Sequence, residues 1–292
     1  MIPAAFAYVR PTSLDEALRL LAQHGGDAKV LAGGQSLLPL LKLRVAATDR
    51  LIDIGRLKEL RGIRDWNGGI AIGALTTYRE LLDSTLATGR YPILVETINS
   101  VGDVQVRNRG TVGGSIAHAD PASDLPAVLI ALDGQVVVRS QSGERVIAAD
   151  SFFDGAFTTA MAADEILTEI RIPALSKGAG TAYVKLAQPA SGYSIVGVAV
   201  VLAAPTGPNM AGAICRVAVT GVGDVAYRAT AVENALIASP GPWSAAAIRA
   251  AAAHATAGQT VASDIHADRE YRAEMAQVYT RRAVEVALAR MS

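Results

Sequence analysis

The chain has 292 residues, of which 51% are hydrophobic and 18% charged, as expected of a globular protein with room for two domains. Its 27 lysines and arginines balance 27 aspartates and glutamates, so no net charge favours nucleic acid or an anionic membrane. The single cysteine, Cys215, excludes an intrachain disulfide, and it excludes a cysteine-ligated iron–sulfur cluster or cysteine-rich zinc site made by this chain alone.

Targeting and membrane signals are weak. The N-terminus lacks a basic stretch followed by a long apolar run, which argues against a signal peptide. Residues 186–215 carry no charge, but Pro189, Gly192 and Pro205 interrupt them, and their apolar centre at residues 195–204 is about half a membrane span. We therefore expect a buried strand there, no integral membrane segment and a cytoplasmic protein.

The first predicted elements flank a pair of glycines. An apolar stripe after Ser13 predicts a helix that ends at Gly25, and Glu16 lies at the spacing of a capping box. A short buried strand at residues 29–31 and a helical turn at residues 37–43 follow. The glycine pair therefore lies between a strand and a helix.

Strand and helix signals alternate through the middle of the chain. Strands are predicted at residues 51–54 and 70–72, with a hairpin turn at residues 67–69. Thr77 and Glu80 form a second capping box, which predicts a short helix. Further predictions are helices at 93–101 and 123–132, a turn at 108–110, and strands at 135–139, 144–147 and 166–172. Because these elements never form long βαβ units, the predicted fold class is α+β.

A linker is predicted at residues 173–180, after which the pattern changes. Three strands at 182–186, 195–203 and 214–220 precede alanine-rich helices at 229–237, 244–257 and 267–291. Strands followed by helices predict a separate small α+β domain. Cys215 lies in an apolar run of this domain and is best interpreted as a core residue.

The first glycine pair lies in residues 32–36, whose backbone is bare because glycine has no Cβ to keep N–H groups from an anion. One interpretation is a pyrophosphate site with the Ser36 hydroxyl as an extra donor. The other is a tight strand-to-helix connection that needs glycine for its backbone angles. This motif alone favours neither.

A second glycine pair lies about 80 residues further on, in residues 111–115. Two such segments, each ending in a hydroxyl side chain, suggest two walls around one diphosphate. Asp124 follows closely, and a carboxylate that hydrogen-bonds a polar ring or a ribose would complete a dinucleotide site. Asp120 and Asp124 are alternatively caps of the helix after Pro121, and capping is the preferred role of Asp120.

Two other patterns point to structure rather than to a ligand. His118, Asp120 and Asp124 have no third histidine or cysteine nearby, so no metal site is predicted. Residues 221–226 match a nicotinamide-binding turn, but residues 240–243 carry no acidic residue at the distance where one is expected. We interpret residues 221–226 as a structural turn.

Lys185 and Tyr193 begin the predicted second domain. A lysine near a flavin would stabilise negative charge on the reduced ring, and a tyrosine would pack against the ring system. From the residues alone, however, Lys185 is better interpreted as a surface lysine, and Tyr193 as a β-bulge or core aromatic.

Together these strings resemble the FAD-carrying medium subunit of the aerobic carbon monoxide dehydrogenase type of molybdenum hydroxylase, and they are similar to the FAD segment of the xanthine dehydrogenase family. The matching strings span essentially the whole chain in the family's order, at Lys185 and at residues 32–39, 107–115, 120–124, 164–167 and 192–199. The resemblance implies a PCMH-type FAD-binding region of two subdomains at residues 1–176, the first roughly 1–55. It also implies a C-terminal domain at residues 177–292 that covers the flavin.

The resemblance further implies which residues bind FAD, and it gives this chain no catalytic residue and no metal ligand. The diphosphate would be held by Ala32, Gly33, Gly34, Gln35, Ser36, Thr111, Val112, Gly113, Gly114 and Ser115. The remaining positions are Val101 and Leu167 beside the adenine, Asp124 as a polar contact, Lys185 and Tyr193 near the isoalloxazine ring, and Leu37, Ala117 and Asp120. Many relatives have Asp or Asn in place of Ser115; because a hydroxyl still hydrogen-bonds, we expect FAD to be retained.

The resemblance implies an oxidoreductase subunit that works with partners. A large subunit would oxidise the substrate on a molybdenum cofactor, and two [2Fe–2S] clusters of a small subunit would pass electrons through this FAD to an external acceptor. A dimer of heterotrimers (a heterohexamer) is implied. The alternatives are the FAD subunit of a xanthine or N-heteroaromatic (nicotine, quinoline) dehydrogenase, and a stand-alone flavin oxidoreductase. For the last, the sequence shows no histidine-plus-carboxylate arrangement.

Overall fold

A computed structural model describes residues 2–204, 212–239 and 243–292 of the chain. Pro205, in the uncharged segment, and residues 240–242, after the nicotinamide-like turn, lie outside these ranges. The described strands form four sheets, with orders β1-β3-β2, β4-β5-β10-β6-β7, β11-β12-β13-β14 and β8-β9. This mixture of sheets and short helices confirms the predicted α+β class.

The elements have the following bounds. The helices are α1 Leu14–His24, α2 Leu37–Lys42, α3 Tyr78–Asp83, α4 Thr85–Arg90, α5 Pro92–Asn99, α6 Val104–Arg109, α7 Val112–His118, α8 Asp124–Ala131, α9 Thr230–Ala238, α10 Ala245–Ala252 and α11 Arg269–Ala289. The strands are β1 Ala7–Val9, β2 Ala28–Leu31, β3 Arg50–Asp53, β4 Ile63–Trp66, β5 Gly69–Gly73, β6 Gln135–Ser140, β7 Gly143–Ala148, β8 Phe153–Gly155, β9 Thr158–Thr159, β10 Ile166–Ile172, β11 Gly180–Ala187, β12 Ser194–Ala203, β13 Ile214–Thr220 and β14 Tyr227–Arg228.

The first sheet places the first glycine pair at a strand end. Its three strands are parallel, and β2 runs directly into residues 32–36, which lead into α2. Helix α1 starts as predicted, with the Ser13 hydroxyl accepting the N–H of Glu16. The Glu16 carboxylate, however, accepts the N–H of Thr12 rather than that of Ser13, so the predicted capping box is only half formed.

The second sheet is antiparallel and carries the second glycine pair on an adjoining helix. The predicted hairpin at residues 67–69 is confirmed: Asn67 and Gly68 have φ of 46° and 79°, as a tight hairpin turn requires. The Thr77–Glu80 capping box is complete. The predicted turn at residues 108–110 is wrong in part, because the chain remains helical in α6 up to Arg109.

The C-terminal sheet is covered on both faces. All ten residues of β12 are buried; Ala199 and Val201 pack into the core that contains α8, and Val198 and Val200 pack into the core that contains α9 to α11. The two-residue period of a strand sends alternate side chains to the two cores. This explains the uncharged segment as a fully buried strand, and within the described residues no helix is long and apolar enough to cross a membrane.

The two halves of the chain are joined by the predicted linker. Strand β10 ends at Ile172 and β11 begins at Gly180, so only the last residue of the predicted linker belongs to a strand. Helix α8 of the first half packs on β12 and β13 of the second half. Cys215 is 4% exposed in β13, which confirms that it is a core residue. The proposed domain limits at residues 55 and 176 stay a prediction.

Candidate functional site

The two glycine pairs lie side by side. A Cβ added to Gly33 would lie 2.1 Å from the carbonyl oxygen of Arg109 and 3.2 Å from the Cα of Gly110, just before the second segment. A Cβ added to Gly114 would lie 3.9 Å from the Cβ of Ala32. The fold thus brings together two strings that are far apart in sequence, and it needs glycine at position 33 to do so.

The first segment presents a row of free backbone donors. Within the described residues, the N–H groups of residues 33–36 have no protein acceptor. Gly34 has φ of +73°, a conformation that glycine adopts without a steric cost. Ser36 precedes α2, and its side chain makes no cap hydrogen bond to that helix. Adjacent N–H groups with nothing to bond are the arrangement in which a chain binds an anion.

The second segment differs, because most of its N–H groups are already bonded. Gly113 donates to the carbonyl of Ala74 at 2.9 Å, and Gly114 donates to the Thr111 hydroxyl at 3.1 Å. Ser115 donates to the Thr111 carbonyl at 3.1 Å as α7 begins. The glycine pair expected to form a turn is therefore the first turn of a helix. Its hydroxyls are engaged as well: Thr111 accepts the Gly114 N–H, and the Ser115 hydroxyl lies 2.8 Å from the Ser123 hydroxyl.

Tyr78 and Tyr193 differ in burial. The buried ring of Tyr78 packs against Gly110, where an added Cβ would lie 2.8 Å from Tyr78 Cε2, and burial raises the pKa of Tyr78 to about 12, so its phenol stays protonated. Tyr193, from the C-terminal half, is 46% exposed. Burial of its ring and the charge of Asp120 raise the pKa of Tyr193. Tyr193 precedes β12 and is therefore neither a β-bulge nor a core aromatic.

A buried ion pair joins the two halves of the chain. The ammonium of Lys185 lies 2.9 Å and 3.0 Å from the two carboxylate oxygens of Asp124, and 3.0 Å from the carbonyl of Ser100. The two charged side chains are only 5% and 7% exposed. The interpretation of Lys185 as a surface residue is therefore wrong. An alternation of apolar and polar residues along β11 does not reveal on its own that α5 packs on this strand and that Asp124, at the start of α8, meets Lys185.

Sequence reasoning missed two further partners of Asp124. The hydroxyls of Tyr183 and Ser194 both donate to Asp124 Oδ1, the latter at 2.7 Å. Tyr183 and Lys185 are two positions apart on β11, so they point to the same side of the strand. That spacing was the available signal, but it has meaning only once Asp124 is known to face the strand.

Asp120 does not cap the helix as predicted. Its carboxylate accepts the N–H of Ala122 at 2.9 Å, which closes a local turn, and α8 begins later, at Asp124. The intervening residues move Asp120 too far from the first helical N–H groups to cap them. His118, at the end of α7, is half-buried with its ring centroid 5.1 Å from that of Phe157, and burial lowers the pKa of His118. Within the described ranges, no three His, Cys, Asp or Glu side chains form a metal-binding group.

The remaining predicted residues are more dispersed. The carbonyl of Val101 accepts a hydrogen bond from Arg107 at 3.0 Å, in the loop that Lys185 also contacts through Ser100. Leu167 is 4% exposed and lies opposite Val138 in the second sheet. Leu37 begins α2, Val112 is buried at the start of α7, and Ala117 is exposed near its end. The roles expected of these residues at a cofactor stay predictions.

Residues 221–226 form a turn without a following helix. Gly221 has φ of +81°, donates its N–H to Pro121 at 2.8 Å and accepts a hydrogen bond from Arg272. The chain then enters the short strand β14. A nicotinamide-binding turn leads into a helix, so the interpretation as a structural turn fits the fold.

Comparison with known proteins identifies two matching families. The family described as "FAD binding domain in molybdopterin dehydrogenase" matches residues 4–175. The family described as "CO dehydrogenase flavoprotein C-terminal domain" matches residues 181–287. The boundary between the two matches falls in the connection between β10 and β11.

Individual relatives match along the whole chain. The carbon monoxide dehydrogenase medium chain of Hydrogenophaga pseudoflava is 41% identical over 290 residues, which cover 99% of each chain. The 6-hydroxypseudooxynicotine dehydrogenase complex subunit alpha of Paenarthrobacter nicotinovorans is 39% identical, with coverage of 99% of this chain and 97% of that one. A solved structure of carbon monoxide dehydrogenase from Hydrogenophaga pseudoflava superposes with a TM-score of 0.94 at 42% identity, covering 100% of both chains.

Proposed function

This chain belongs to the family of FAD-binding medium subunits of the carbon monoxide dehydrogenase type, and we propose that it relays electrons between a partner's iron–sulfur clusters and an external acceptor. The family makes it an FAD-binding oxidoreductase subunit. The relay, the partners and the individual contacts to FAD are the proposed part.

The observation that carries the proposal is the row of free N–H groups in residues 33–36. These donors stand beside the second glycine segment, and a Cβ at Gly33 would lie 2.1 Å from the Arg109 carbonyl oxygen. A diphosphate needs several converging donors and a backbone that it can approach closely. The residues present therefore fit the diphosphate of FAD.

We assign the contacts as follows. Residues 33–36 would donate N–H groups to the diphosphate, with the hydroxyls of Ser36, Thr111 and Ser115 beside them. Tyr193 would cover the ring end of the site together with the Asp124–Lys185 pair. The further positions proposed to line the cofactor are Leu37, Val101, Ala117, Asp120 and Leu167.

The chain's own chemistry is binding and shielding. FAD, when bound, supplies the exchange between one-electron and two-electron carriers. The buried Tyr78 keeps its proton at neutral pH because burial raises its pKa to about 12. The Lys185 side chain has three oxygen neighbours, which fix its position.

Partners follow from what this chain lacks. With a single cysteine, it cannot ligate the two [2Fe–2S] clusters of the proposed relay. We assign those clusters to a small subunit and substrate oxidation to a molybdenum-containing large subunit, in a cytoplasmic dimer of heterotrimers. The relatives' names include carbon monoxide dehydrogenase and 6-hydroxypseudooxynicotine dehydrogenase, and we assign the choice of substrate to the large subunit.

A visible absorption spectrum tests the proposal directly. The chain would be purified alone, mixed with FAD and freed of unbound cofactor by gel filtration. We expect flavin bands without an iron–sulfur contribution, and co-expressed partner subunits should add that contribution and copurify. A folded chain that retains no FAD would refute the proposal, and turnover of a small alcohol or amine by the isolated chain would favour a stand-alone oxidoreductase.

A further inference from the structure

We propose that Tyr183 is a positioning residue of the cofactor site, which fixes the Asp124–Lys185 pair across the junction of the two halves of the chain. The inference rests on the proposed FAD site and names how the C-terminal half holds that site in shape. Neither the sequence motifs nor the family resemblance assigns a role to Tyr183.

The hydrogen bond from Tyr183 to Asp124 is buried. Tyr183 is 8% exposed, and its hydroxyl donates to Asp124 Oδ1 while lying 3.2 Å from the Ser194 hydroxyl. Burial and the charge of Asp124 raise the pKa of Tyr183 well above its usual value. The phenol therefore remains a donor at every working pH, and a carboxylate that accepts it gains a charge-assisted bond.

The space around the Tyr183 hydroxyl leaves no room for a side chain at position 197. A Cβ added to Gly197 would lie 2.3 Å from the Tyr183 hydroxyl oxygen, closer than any real contact. Gly197 lies in the middle of β12, directly opposite Lys185 on β11. A glycine in the interior of a strand weakens the strand because it has no side chain to pack. The Tyr183 hydroxyl, together with the Thr220 methyl group at 2.8 Å from the added Cβ, occupies the space that a side chain at position 197 would need.

The cluster reaches the cofactor site through Ser123, the residue before Asp124. The Ser123 hydroxyl lies 2.8 Å from the hydroxyl of Ser115 in the second glycine segment. The charge of Asp124 also contributes to raising the pKa of Tyr78. A displaced Asp124 would therefore disturb the second glycine segment.

The C-terminal sheet also hydrogen-bonds to the residues just before Asp124. Ser194 donates its N–H to Ala122 at 3.2 Å, and Gly221 donates its N–H to Pro121 at 2.8 Å. The Thr220 hydroxyl lies 2.8 Å from the carbonyls of Pro121 and Ser123. These bonds hold the backbone, whereas Tyr183 and Ser194 orient the carboxylate, so the loss of Tyr183 changes the direction of Asp124 and leaves the docking in place.

The test compares Tyr183→Phe with Tyr227→Phe. Both tyrosines are 8% exposed in the C-terminal sheet, but the Tyr227 hydroxyl donates to the backbone carbonyl of Ala255, away from Asp124. Each variant loses one buried hydroxyl: Tyr183→Phe removes the bonds to Asp124 and Ser194, and Tyr227→Phe removes the bond to Ala255. The full-length chain would be used to measure the Kd for FAD, the thermal midpoint, and the visible spectrum of the bound flavin.

We expect Tyr183→Phe to weaken FAD binding by about tenfold, the loss typical of a bond to a charged group, and to change the shape of the flavin bands. Tyr227→Phe should lower the thermal midpoint without changing the Kd or the spectrum. Equal Kd values and identical spectra for the two variants would overturn the inference while leaving the FAD site intact. A wild-type chain that binds no FAD would overturn both the inference and the proposed function.

A second variant separates this role from an effect on folding. Gly197→Ala should weaken FAD binding in the wild-type chain, because its methyl group displaces the hydroxyl. In the Tyr183→Phe background the same substitution should cost less, because the clashing oxygen is gone and only the contact with the Thr220 methyl group remains. Additive losses in this double-mutant cycle would contradict the role of Gly197 as the space for the Tyr183 hydroxyl.

Discussion

The two glycine segments share a sequence pattern but differ in the state of their backbones. Within the described residues, the N–H groups of residues 33–36 have no protein acceptor, whereas Gly113, Gly114 and Ser115 donate to protein oxygens. The first segment is a loop between β2 and α2, and the second is the start of α7. The same pattern of two adjacent glycines therefore provides free donors in the first segment and close packing in the second.

This difference shows that a glycine pair has to be interpreted by what surrounds it. Gly113 is required because Ala74 lies against it, and a Cβ added to Gly113 would lie only 2.5 Å from the Ala74 Cβ. Gly33 is required because the Arg109 carbonyl lies against it, which brings the donors of its own segment beside the second one. We expect the first segment to determine FAD affinity and the second to determine stability.

The largest effect is expected from Gly33→Ala, which would push the two segments apart. Its Cβ would meet backbone atoms, which cannot rotate away as a side chain does. We expect the Kd for FAD to rise at least about 100-fold, equivalent to about 2.7 kcal/mol. Flavin fluorescence titration measures the change. Gly26→Ala is the matched control, since a Cβ there meets nothing within 4 Å; equal Kd values for the two variants would contradict the role of the first segment.

Gly113→Ala should mainly reduce stability. The added methyl group would overlap buried Ala74, and overpacking of this kind costs about 1–3 kcal/mol of unfolding free energy. Urea denaturation measures the loss, and FAD binding below the transition should change less than in Gly33→Ala. Gly89→Ala in α4, with open space around it, serves as control and should be neutral or stabilising. An unchanged midpoint for Gly113→Ala would refute the packing role.

A pair of hydroxyl deletions sharpens the comparison. The Thr111 hydroxyl caps α7 through the Gly114 N–H, so Thr111→Val should cost about 1 kcal/mol of stability. Ser36 caps no helix, so Ser36→Ala should change stability by less than about 0.5 kcal/mol. It should nevertheless weaken FAD binding by about three- to tenfold through the lost hydrogen bond. If Ser36→Ala destabilised the chain as much as Thr111→Val, the two segments would not differ in role.

The smallest expected effect is a loss of stability in acid caused by His118, at the end of α7. Burial lowers the pKa of His118, so below about pH 6.5, the ordinary histidine value, the unfolded chain binds a proton more readily than the folded one. Stability should therefore fall as the pH drops through this range. Thermal midpoints between pH 8 and 5 measure the slope, which His118→Gln should flatten and the exposed control His266→Gln should not. Equal slopes in all three proteins would exclude His118 as the cause.

The sequence predicted the local features well because they depend on near neighbours. The hairpin at Asn67 and Gly68 and the capping box at Thr77 each need only a few adjacent residues. The α+β class and the position of the linker followed from the order of such signals. The two similar strings suggested that the glycine segments lie around one ligand, although only the fold shows that Gly33 and Arg109 touch.

The errors have a common cause in long-range contacts. Lys185 was assigned to the surface because no local pattern places Asp124 against it. Asp120 was assigned to a helix cap because the exact start of α8 after Pro121 depends on how the C-terminal sheet holds that stretch. Tyr183 was not identified at all, since a tyrosine in a strand is an ordinary residue until its hydroxyl is seen to meet a buried carboxylate.

The ion pair between Asp124 and Lys185 has a consequence for biosynthesis. Asp124 emerges from the ribosome early, while Lys185 and the sheet to which it belongs emerge only after the linker has been translated. A nascent chain stopped at the linker would have both glycine segments but not the C-terminal residues that we propose to complete the site. Since domains fold in order as they are synthesised, cofactor capture becomes a late event of maturation, and chains truncated at the linker should accumulate in a colourless form.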